Sequence, residues 1–246
     1  MSGVHGVDLP EASPAEYLSW DDAFLDRADQ EGVETLWFWE SRIPFVVVGY
    51  GQAVAREVHQ AACADRGIPI LRRCSGGGTV VQGQGCLNYG LALPIAVDAN
   101  LSTISAANRF ILNRHCRALT PLLGTEVRVE GHTDLVMGSR AGGTLKFSGN
   151  AQRRTQRALL FHGTFLLDMD LELMASLLPP PSWEPAYRAG RPHTTFVANT
   201  GLGRRAVCAV LREAWGAMEV PDSLPVEAQR RALDERYGRS DWNLRR

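Results

Sequence analysis

Three consecutive glycines, placed between an arginine pair and a strand-like segment, constrain this chain more than any other feature. Residues 72–90 read RRCSGGGTVVQGQGCLNYG. Leu87, Tyr89, Leu91 and Leu93 then alternate with the two-residue period of a strand. Three adjacent glycines cost backbone entropy, so they are best explained where main chain must approach a ligand closely. The arginine pair offers charge for an anionic group on that ligand.

The charge and cysteine content narrow the classes of partner and compartment. A net charge of −1 over 246 residues provides no overall field for nucleic acid or an anionic membrane, so an anion site must be local. The five cysteines are odd in number and contain no C-x-x-C pair, which argues against a disulfide framework or a zinc site. We find neither a signal-peptide pattern nor an apolar run of bilayer length. We therefore expect a soluble cytoplasmic protein with no nucleic-acid or membrane partner.

Mixed helical and strand periodicity predicts an α+β fold, with a mixed β-sheet flanked by helices and without a strict βαβ rhythm. Ser13-Pro14-Ala15-Glu16 is a capping box that opens the first helix. The segment 138–157 is polar and glycine-containing and predicts loop and turn, and residues 182–203 predict irregular structure. The expected strands are 36–39, 45–49, 68–71, 87–93, 126–129, 134–137 and 159–167. The expected helices are 53–66, 102–123, 171–178, 204–218 and 225–237.

Two further polar clusters carry candidate chemistry. One contains Thr133 and Asp134, and the other is Lys146-Phe147-Ser148-Gly149-Asn150-Ala151. A carboxylate can hold Mg²⁺, and an amine can neutralise a phosphate and the charge that develops on it. Lys146 is the single lysine of the chain among 26 basic residues. A surface aspartate, a solvated lysine and a plain turn at the triple glycine also fit these residues, since the loop is neither a P-loop nor a Rossmann fingerprint.

A third cluster, Leu160-Phe161-His162-Gly163-Thr164, places a histidine in an apolar strand. Such a residue is more often hydrogen-bonded and structural than a catalytic base. We expect His162 to shape the site.

Together and in this order, the clusters resemble the lipoate–protein ligase A family, within the wider biotin and lipoate ligase group. The resemblance extends from about Leu18 to Leu202. Its motifs are Phe38-Trp39-Glu40, Val46-Val47-Val48-Gly49-Tyr50-Gly51-Gln52, Glu57-Val58, Arg72–Gly78, Leu87-Asn88-Tyr89, Asp134-Leu135-Val136, Lys146–Ala151, Phe161–Thr164 and Phe196-Val197-Ala198-Asn199-Thr200.

The resemblance implies a two-step reaction. Lipoate, or octanoate, reacts with MgATP to give the acyl-adenylate, and the acyl group passes to a lysine of a lipoyl-carrier protein. Lys146 would be the catalytic residue at the α-phosphate and acyl carbonyl, Asp134 would be associated with Mg²⁺, and Arg72 would lie along the acyl chain. The resemblance implies that substrate and nucleotide are bound by Arg72, Ser75, Gly76, Gly77, Gly78, Thr79, Asn88, Ser148, Gly149, Asn150, Ala151 and His162.

The chain departs from the family pattern in three places. Gln82-Gly83-Gln84-Gly85-Cys86 stands where the family often has His-Asp-x-Gly-Asn, and Thr133 stands where an Asn is usual. About forty residues follow Leu202, where full-length ligases carry an accessory domain. We expect a loose N-terminal arm (1–12), a ligase-like catalytic domain (13–203) and a helical C-terminal extension (204–246). An accessory subunit is a possible partner.

Three alternative functions compete with this interpretation, two of them enzymatic and one non-catalytic. An octanoyltransferase would need no ATP and would pass the acyl group through a cysteine thiolate near the lysine. Cys74 and Cys86 are the nearest candidates in sequence, although neither matches the expected position. A biotin ligase would share the fold, but its glycine-arginine loop differs from R-R-x-S-G-G-G. A non-catalytic relative that binds carrier domains is the third alternative.

Overall fold

The structure is a computed structural model that describes residues 3–139, 142–219 and 224–245. Among these residues the main sheet has eight strands in the order β11-β1-β2-β6-β10-β9-β8-β7, and a smaller sheet has the order β4-β3-β5. The strands are β1 (His5–Asp8), β2 (Thr35–Trp39), β3 (Phe45–Val48), β4 (Ile70–Arg72), β5 (Val80–Gln82), β6 (Cys86–Pro94), β7 (Val127–Glu130), β8 (Asp134–Gly138), β9 (Thr144–Arg154), β10 (Ala158–Leu166) and β11 (Met218–Glu219).

Helices cover both faces of the main sheet. The expected capping box is present: Ser13 accepts a hydrogen bond from the Glu16 backbone, and the Glu16 carboxylate accepts one from the Ser13 N–H. The helices are α1 (Pro14–Glu31), α2 (Val54–Glu57), α3 (Gln60–Asp65), α4 (Ile104–Leu123), α5 (Leu171–Leu177), α6 (His193–Phe196), α7 (Arg204–Trp215), α8 (Val226–Ala232) and α9 (Ser240–Asn243), with a π-helical turn at Leu233–Tyr237.

Strand β2 shows how the layers form, because all five of its residues are buried. Leu36 and Phe38 join the apolar cluster that contains α4 and α7. Trp37 and Trp39 alternate with them and join the cluster that contains α1. The sheet is therefore the middle of three layers, which confirms the expected mixed sheet flanked by helices.

Several expected boundaries differ from the structure. The segment 138–157 is largely the eleven-residue strand β9, not loop. The helix expected over 53–66 is divided into α2 and α3, and residues 182–203 contain α6. The arm expected to be loose contributes β1, which pairs in parallel with β2 and β11; its residues 1 and 2 lie outside the described part. Helix α7 packs into the same core as the main sheet.

The described helices include none that is long and apolar enough to cross a lipid bilayer.

A buried histidine between α4 and α7 makes stability depend on pH. Burial, with Arg114 nearby, lowers the pKa of His115 to about 3, and its Nε2 accepts a hydrogen bond from Trp215 Nε1 at 3.0 Å. The unfolded chain takes up a proton below about pH 6.5 while the folded protein does not, so stability falls as pH decreases from 6.5 towards 3.

We expect the free energy of unfolding to fall between pH 6 and pH 4, with His115 contributing about 1.4 kcal/mol per pH unit. Denaturant titrations at each pH should show a shallower fall for His115→Gln, because glutamine does not titrate. Equal slopes for the two proteins would contradict this assignment.

Candidate active site

One cavity of about 310 Å³ lies between the glycine loop, strands β9 and β10, and the segment 179–197. Its size is that of a small-molecule site. Apolar side chains from α1, β2 and β3 line part of it, and Lys146, Asp134 and the glycine loop provide polar groups. The sequence clusters that are far apart along the chain therefore meet at one cavity.

Lys146 enters the cavity because the register of β9 shifts next to it. Leu135 pairs with Ser148, but the next residue of β8 pairs with Lys146, so Phe147 is an extra residue on β9. Such a bulge turns the neighbouring side chain to the other face. Lys146 thereby shares a face with Gly149, where an added Cβ would lie 3.1 Å from both Cε and Nζ of the lysine. A larger residue at 149 would press on the end of the lysine side chain, which lies across the glycine.

The Asp134 carboxylate is held from both sides. Lys146 Nζ lies 2.8 Å from Oδ1, and the Tyr187 hydroxyl donates to Oδ2 at 2.7 Å. Burial raises the pKa of the Tyr187 phenol, and the Asp134 charge raises it further, so the hydroxyl stays protonated and donates. Tyr187 was missed in the sequence because it lies 53 residues from Asp134 in a segment with no periodic signal.

Arg73 supports the glycine loop. Its guanidinium donates to the carbonyl oxygens of Gly76 at 2.5 Å and Gly78 at 2.8 Å. Gly77 has φ +86°, and a Cβ on Gly49 would overlap the Gly77 carbonyl oxygen. Burial lowers the pKa of Arg73 to about 10, which leaves it cationic at neutral pH. The glycine loop is therefore a main-chain turn that hydrogen bonds from the Arg73 guanidinium hold in place.

Arg72, by contrast, lies away from the cavity where we expected it to follow the ligand. The residue is fully buried. Its guanidinium donates to five main-chain carbonyl oxygens, those of Gly49, Tyr50, Gln52, Trp242 and Arg245. Neighbouring strand residues point to opposite faces, and the sequence alone does not tell which arginine of the pair turns inward. Arg73 is the one that lines the cavity.

The other expected site residues divide into those that line the cavity and those that do not. Among the described residues, Ser75 and Gly76 are outside the lining: Ser75 is buried, and Gly76 is exposed. Asn88 is bound within a network: its amide donates to Gln82 Oε1 at 2.8 Å, and its oxygen accepts from Thr164 at 2.9 Å. Those that line it are Gly77, Gly78, Thr79, Asn88, Asp134, Lys146, Ser148, Gly149, Asn150, Ala151 and His162.

Asn150 joins the two polar clusters. Its side-chain oxygen accepts from the Tyr89 hydroxyl at 2.7 Å, and its amide donates to the Thr133 carbonyl at 2.7 Å. The Thr133 hydroxyl donates back to the Asn150 carbonyl at 2.6 Å. Thr133 therefore braces β9 next to Asp134.

His162 is bonded on both ring nitrogens. Nδ1 lies 2.7 Å from Asp21 Oδ2, and Nε2 lies 2.6 Å from Ser75 Oγ. Asp21 is 3% exposed and also lines the cavity. The sequence had no signal for Asp21, since it is 141 residues from His162 and lies in a helix with an ordinary apolar stripe.

The segment 179–197 covers the mouth of the cavity. Trp183 is 65% exposed and stacks on His132 with ring centroids 5.8 Å apart. Ser182 hydrogen-bonds to the buried Glu57. Burial, together with Arg188 and Lys146, lowers the pKa of His193 to about 4, so it is neutral at pH 7. These contacts hold an aromatic surface at the entrance.

The positions of Cys74 and Cys86 argue against a mechanism that uses a cysteine thiolate as the nucleophile. Cys74 and Cys86 are buried, and in the described part of the chain neither lines the cavity. Burial raises the pKa of Cys74 to about 12 and raises the pKa of Cys86 above its usual range. A thiol that stays protonated and enclosed is a poor nucleophile.

The geometry favours chemistry in which negative charge develops beside Lys146. A cation fixed by a carboxylate, in a cavity that a rigid glycine loop also lines, can stabilise an anion that forms in the transition state without rearranging to do so.

Comparison with known proteins connects this geometry to a family. The model of the lipoyl protein ligase A/B catalytic domain matches residues 13–198. A candidate lipoate-protein ligase A of Aeropyrum pernix is 28% identical over 225 residues, which cover 91% of this chain and 77% of that protein. A second such candidate, from Schizosaccharomyces pombe, is 27% identical, and the match covers 78% of this chain and about half, 51%, of its relative.

Solved structures share the fold. A bi-partite lipoate protein ligase of Thermoplasma acidophilum, studied with its E2 lipoyl domain, has a TM-score of 0.81 at 21% identity and covers 99% of this chain and 97% of its own. A lipoate-protein ligase A bound with ATP has a TM-score of 0.81 at 22% identity, with 99% of both chains covered. At these identities the match establishes the fold.

Proposed function

Since the chain belongs to the lipoyl protein ligase A/B catalytic domain family, we propose that it is an ATP-dependent lipoate–protein ligase. It activates lipoate, or octanoate, with MgATP to the acyl-adenylate and then transfers the acyl group to a lysine of a lipoyl-carrier protein. The five cysteines are all free thiols, which suits action in the reducing cytoplasm.

The observation that carries this proposal is the single cavity shared by Lys146 and the loop of Gly77 and Gly78. When the lipoate carboxylate attacks the α-phosphate and pyrophosphate leaves, negative charge builds on the phosphoryl oxygens. When the acceptor lysine then attacks the acyl-adenylate and AMP leaves, negative charge builds on the carbonyl oxygen. An ammonium already fixed at hydrogen-bond reach stabilises that charge more than it stabilises the ground state, which accelerates each step. We therefore assign Lys146 as the catalytic residue.

The rest of the lining supports binding. His162 pairs with Ala151 on the neighbouring strand, five residues along β9 from Lys146, which is roughly 16 Å at the usual rise of a strand. An extended acyl chain can lie along that distance with its carboxyl end at the lysine. In this assignment Ser148, Gly149, Asn150 and Ala151 form the floor, and Thr79 and Asn88 form a wall. Ser75 and Gly76 help to shape the loop, because both accept hydrogen bonds from Arg73.

Asp134 suits a Mg²⁺ ion that arrives with the nucleotide. Mg²⁺ is usually bound through one or two carboxylates together with substrate phosphates. Within the described ranges no group of three or more His, Cys, Asp or Glu side chains is placed to hold a metal by itself, so a metal site made by protein alone does not fit. Asp134 would hold the ion through its carboxylate, and the ion would supply positive charge that neutralises the phosphates there.

We further propose that the acceptor is a lipoyl domain, because the Thermoplasma acidophilum relative was studied with one. Aminolysis of an acyl-adenylate requires little more than holding a neutral lysine against the activated carbonyl. The cavity mouth at Trp183 is where that lysine would enter. An accessory subunit remains a second proposed partner for the adenylation step.

Lipoate-dependent exchange of radiolabelled pyrophosphate into ATP tests the proposal directly. We expect exchange that requires both lipoate and Mg²⁺, followed by a mass increase of one lipoyl group on a supplied lipoyl domain. A lipoyl domain with its acceptor lysine replaced by arginine is the control for the second step.

Absence of exchange, with candidate accessory subunits also supplied, would refute the ligase assignment. Octanoyl transfer from an acyl carrier protein without ATP would support the transferase instead. In that case loss of transfer in Cys86→Ser would identify the thiol, against the buried position found here. Binding of carrier domains with neither activity would indicate the non-catalytic relative.

A further inference from the structure

Four polar side chains form a continuous chain from the glycine loop to helix α1. Arg73 Nε donates to Ser75 Oγ at 3.1 Å, Ser75 Oγ lies 2.6 Å from His162 Nε2, and His162 Nδ1 lies 2.7 Å from Asp21 Oδ2. Ser75 and Asp21 are 1% and 3% exposed. Since water has little access to these groups, Ser75, His162 and Asp21 depend on their neighbours in the chain for hydrogen bonds, whereas Arg73 also donates to the carbonyl oxygens of Val47, Gly76 and Gly78.

Each hydrogen bond of this chain is donated in the same direction, from Arg73 towards Asp21. A guanidinium can only donate, so Ser75 accepts from Arg73 and its own hydrogen is free to go to His162 Nε2. An ionised carboxylate can only accept, so His162 Nδ1 must carry a hydrogen towards Asp21. With His162 doubly protonated, the Ser75 hydroxyl hydrogen would lose its acceptor in the chain. The arrangement therefore selects the neutral histidine with its hydrogen on Nδ1.

These residue types also form nucleophilic triads, but here the serine is not placed to attack. Among the described residues Ser75 is not part of the cavity lining, and it is almost fully buried. The outer end of the chain is the loop itself, because Arg73 also holds the carbonyl oxygens of Gly76 and Gly78. The network supports the main chain that faces the ligand.

We propose that Asp21 is a positioning residue for acyl-substrate binding. By holding the Nδ1–H form of His162, it makes Nε2 an acceptor for Ser75, and Ser75 in turn accepts from Nε of Arg73, which adds to the bonds that hold Arg73 against the glycine loop. Which ligand the loop receives rests on the function proposed above. The hydrogen-bond chain itself does not depend on that assignment.

The test is ¹⁵N NMR of protein labelled at histidine, at pH 8, where an ordinary histidine is neutral. His162→Gln assigns the signals. In the wild-type protein we expect the Nδ1 shift of a protonated nitrogen and the Nε2 shift of an unprotonated one. In Asp21→Asn the amide can donate to Nδ1, so we expect the hydrogen to move to Nε2.

The kinetic test uses the same variant. In Asp21→Asn the KM for lipoate should rise roughly tenfold, the lower end of the effect of removing a group that orients a metal-bound imidazole, with a smaller change in kcat. Asp21→Glu should restore part of the Nδ1–H tautomer of His162 and part of the wild-type KM.

Asp22→Asn is the matched control. Asp22 is the next residue and is also buried, but it bonds to Arg153, Arg236 and Tyr237 instead of His162. The Asp22→Asn protein should be less stable than the wild type, but the tautomer of its His162 and its KM for lipoate should be unchanged.

Three results would overturn the proposal: a wild-type His162 with its hydrogen on Nε2, a doubly protonated wild-type His162, or an Asp21→Asn protein with unchanged tautomer and KM. The wild-type spectrum decides the matter even if Asp21→Asn does not fold. If the protein catalyses no exchange at all, a tautomer change in Asp21→Asn still supports the positioning role and its absence still refutes it, so this failure is distinct from failure of the proposed function.

Discussion

Replacing Lys146 with alanine should reduce lipoate-dependent pyrophosphate exchange by about 10³-fold, the effect of removing a principal electrostatic stabiliser of a transition state. The chain has no other lysine to take over, and the side chain lies in the bulged part of β9, where Asp134 fixes its amine at 2.8 Å. Lys146→Arg should recover little, because a planar guanidinium does not match the space across Gly149 that an ammonium occupies.

The fold should survive this change. The side chains of Lys146 and Asp134 are 26% and 14% exposed, so the loss of stability should lie between that of an exposed ion pair, less than about 1 kcal/mol, and that of breaking a buried one, about 3–5 kcal/mol. Asp134 keeps the hydrogen bond from Tyr187. Arg128→Ala, which removes an exposed cation from the same sheet, is the control and should retain full exchange. Near-normal exchange in Lys146→Ala, with an unchanged melting temperature, would refute the catalytic assignment.

Substitutions at Arg72 and Arg73 should affect different quantities, protein stability for Arg72 and substrate binding for Arg73. Arg72→Ala removes a donor set shared by five main-chain carbonyls, and we expect it to lower the free energy of unfolding by roughly 3–5 kcal/mol. Arg73→Ala removes the cation inside the glycine loop, and we expect its main effect to be a rise of more than about tenfold in the KM for lipoate. Denaturant titration and exchange kinetics on both variants measure the two quantities.

This pair of variants also decides between the sequence-based and the structure-based roles of Arg72. If Arg72→Ala kept its stability and lost affinity for lipoate, Arg72 would be the ligand residue expected from the family resemblance, and its burial under the C-terminal segment would be misassigned. Arg72→Lys is a useful third protein, since a lysine retains the charge but cannot reach all five acceptors at once.

Local signals in the sequence predicted the parts of the fold that local interactions determine. The capping box at Ser13, the alternation from Leu87 to Leu93 and the apolar stripe of α4 each correspond to an observed element. Strand β9 was missed because its residues face a polar cavity, so the usual alternation of apolar and polar side chains is lost. The extra residue Phe147 left no mark in the sequence, although it is what turns Lys146 inward.

The candidate site divides in the same way. Motif order brought Lys146, Asp134 and His162 together as candidates, and the cavity contains all three. Asp21, Tyr187 and the inward arginine were not predicted, since each depends on a contact across a long stretch of chain or on which face of a strand a residue occupies. Such facts are set by packing, and no local pattern encodes them.

The anchoring of Arg72 has a consequence for how the protein is made. Its partners Trp242 and Arg245 are 170 and 173 residues further along the chain, and Arg245 also stacks on the rings of Tyr50 and Trp242. Contacts of such long separation form late, because the entropy of closing the loop must be overcome first. A nascent polypeptide on the ribosome therefore lacks the hydrogen bonds from Arg72 to Trp242 and Arg245 until residue 245 has been synthesised, and the chain that leads into the glycine loop is fixed by them only after that.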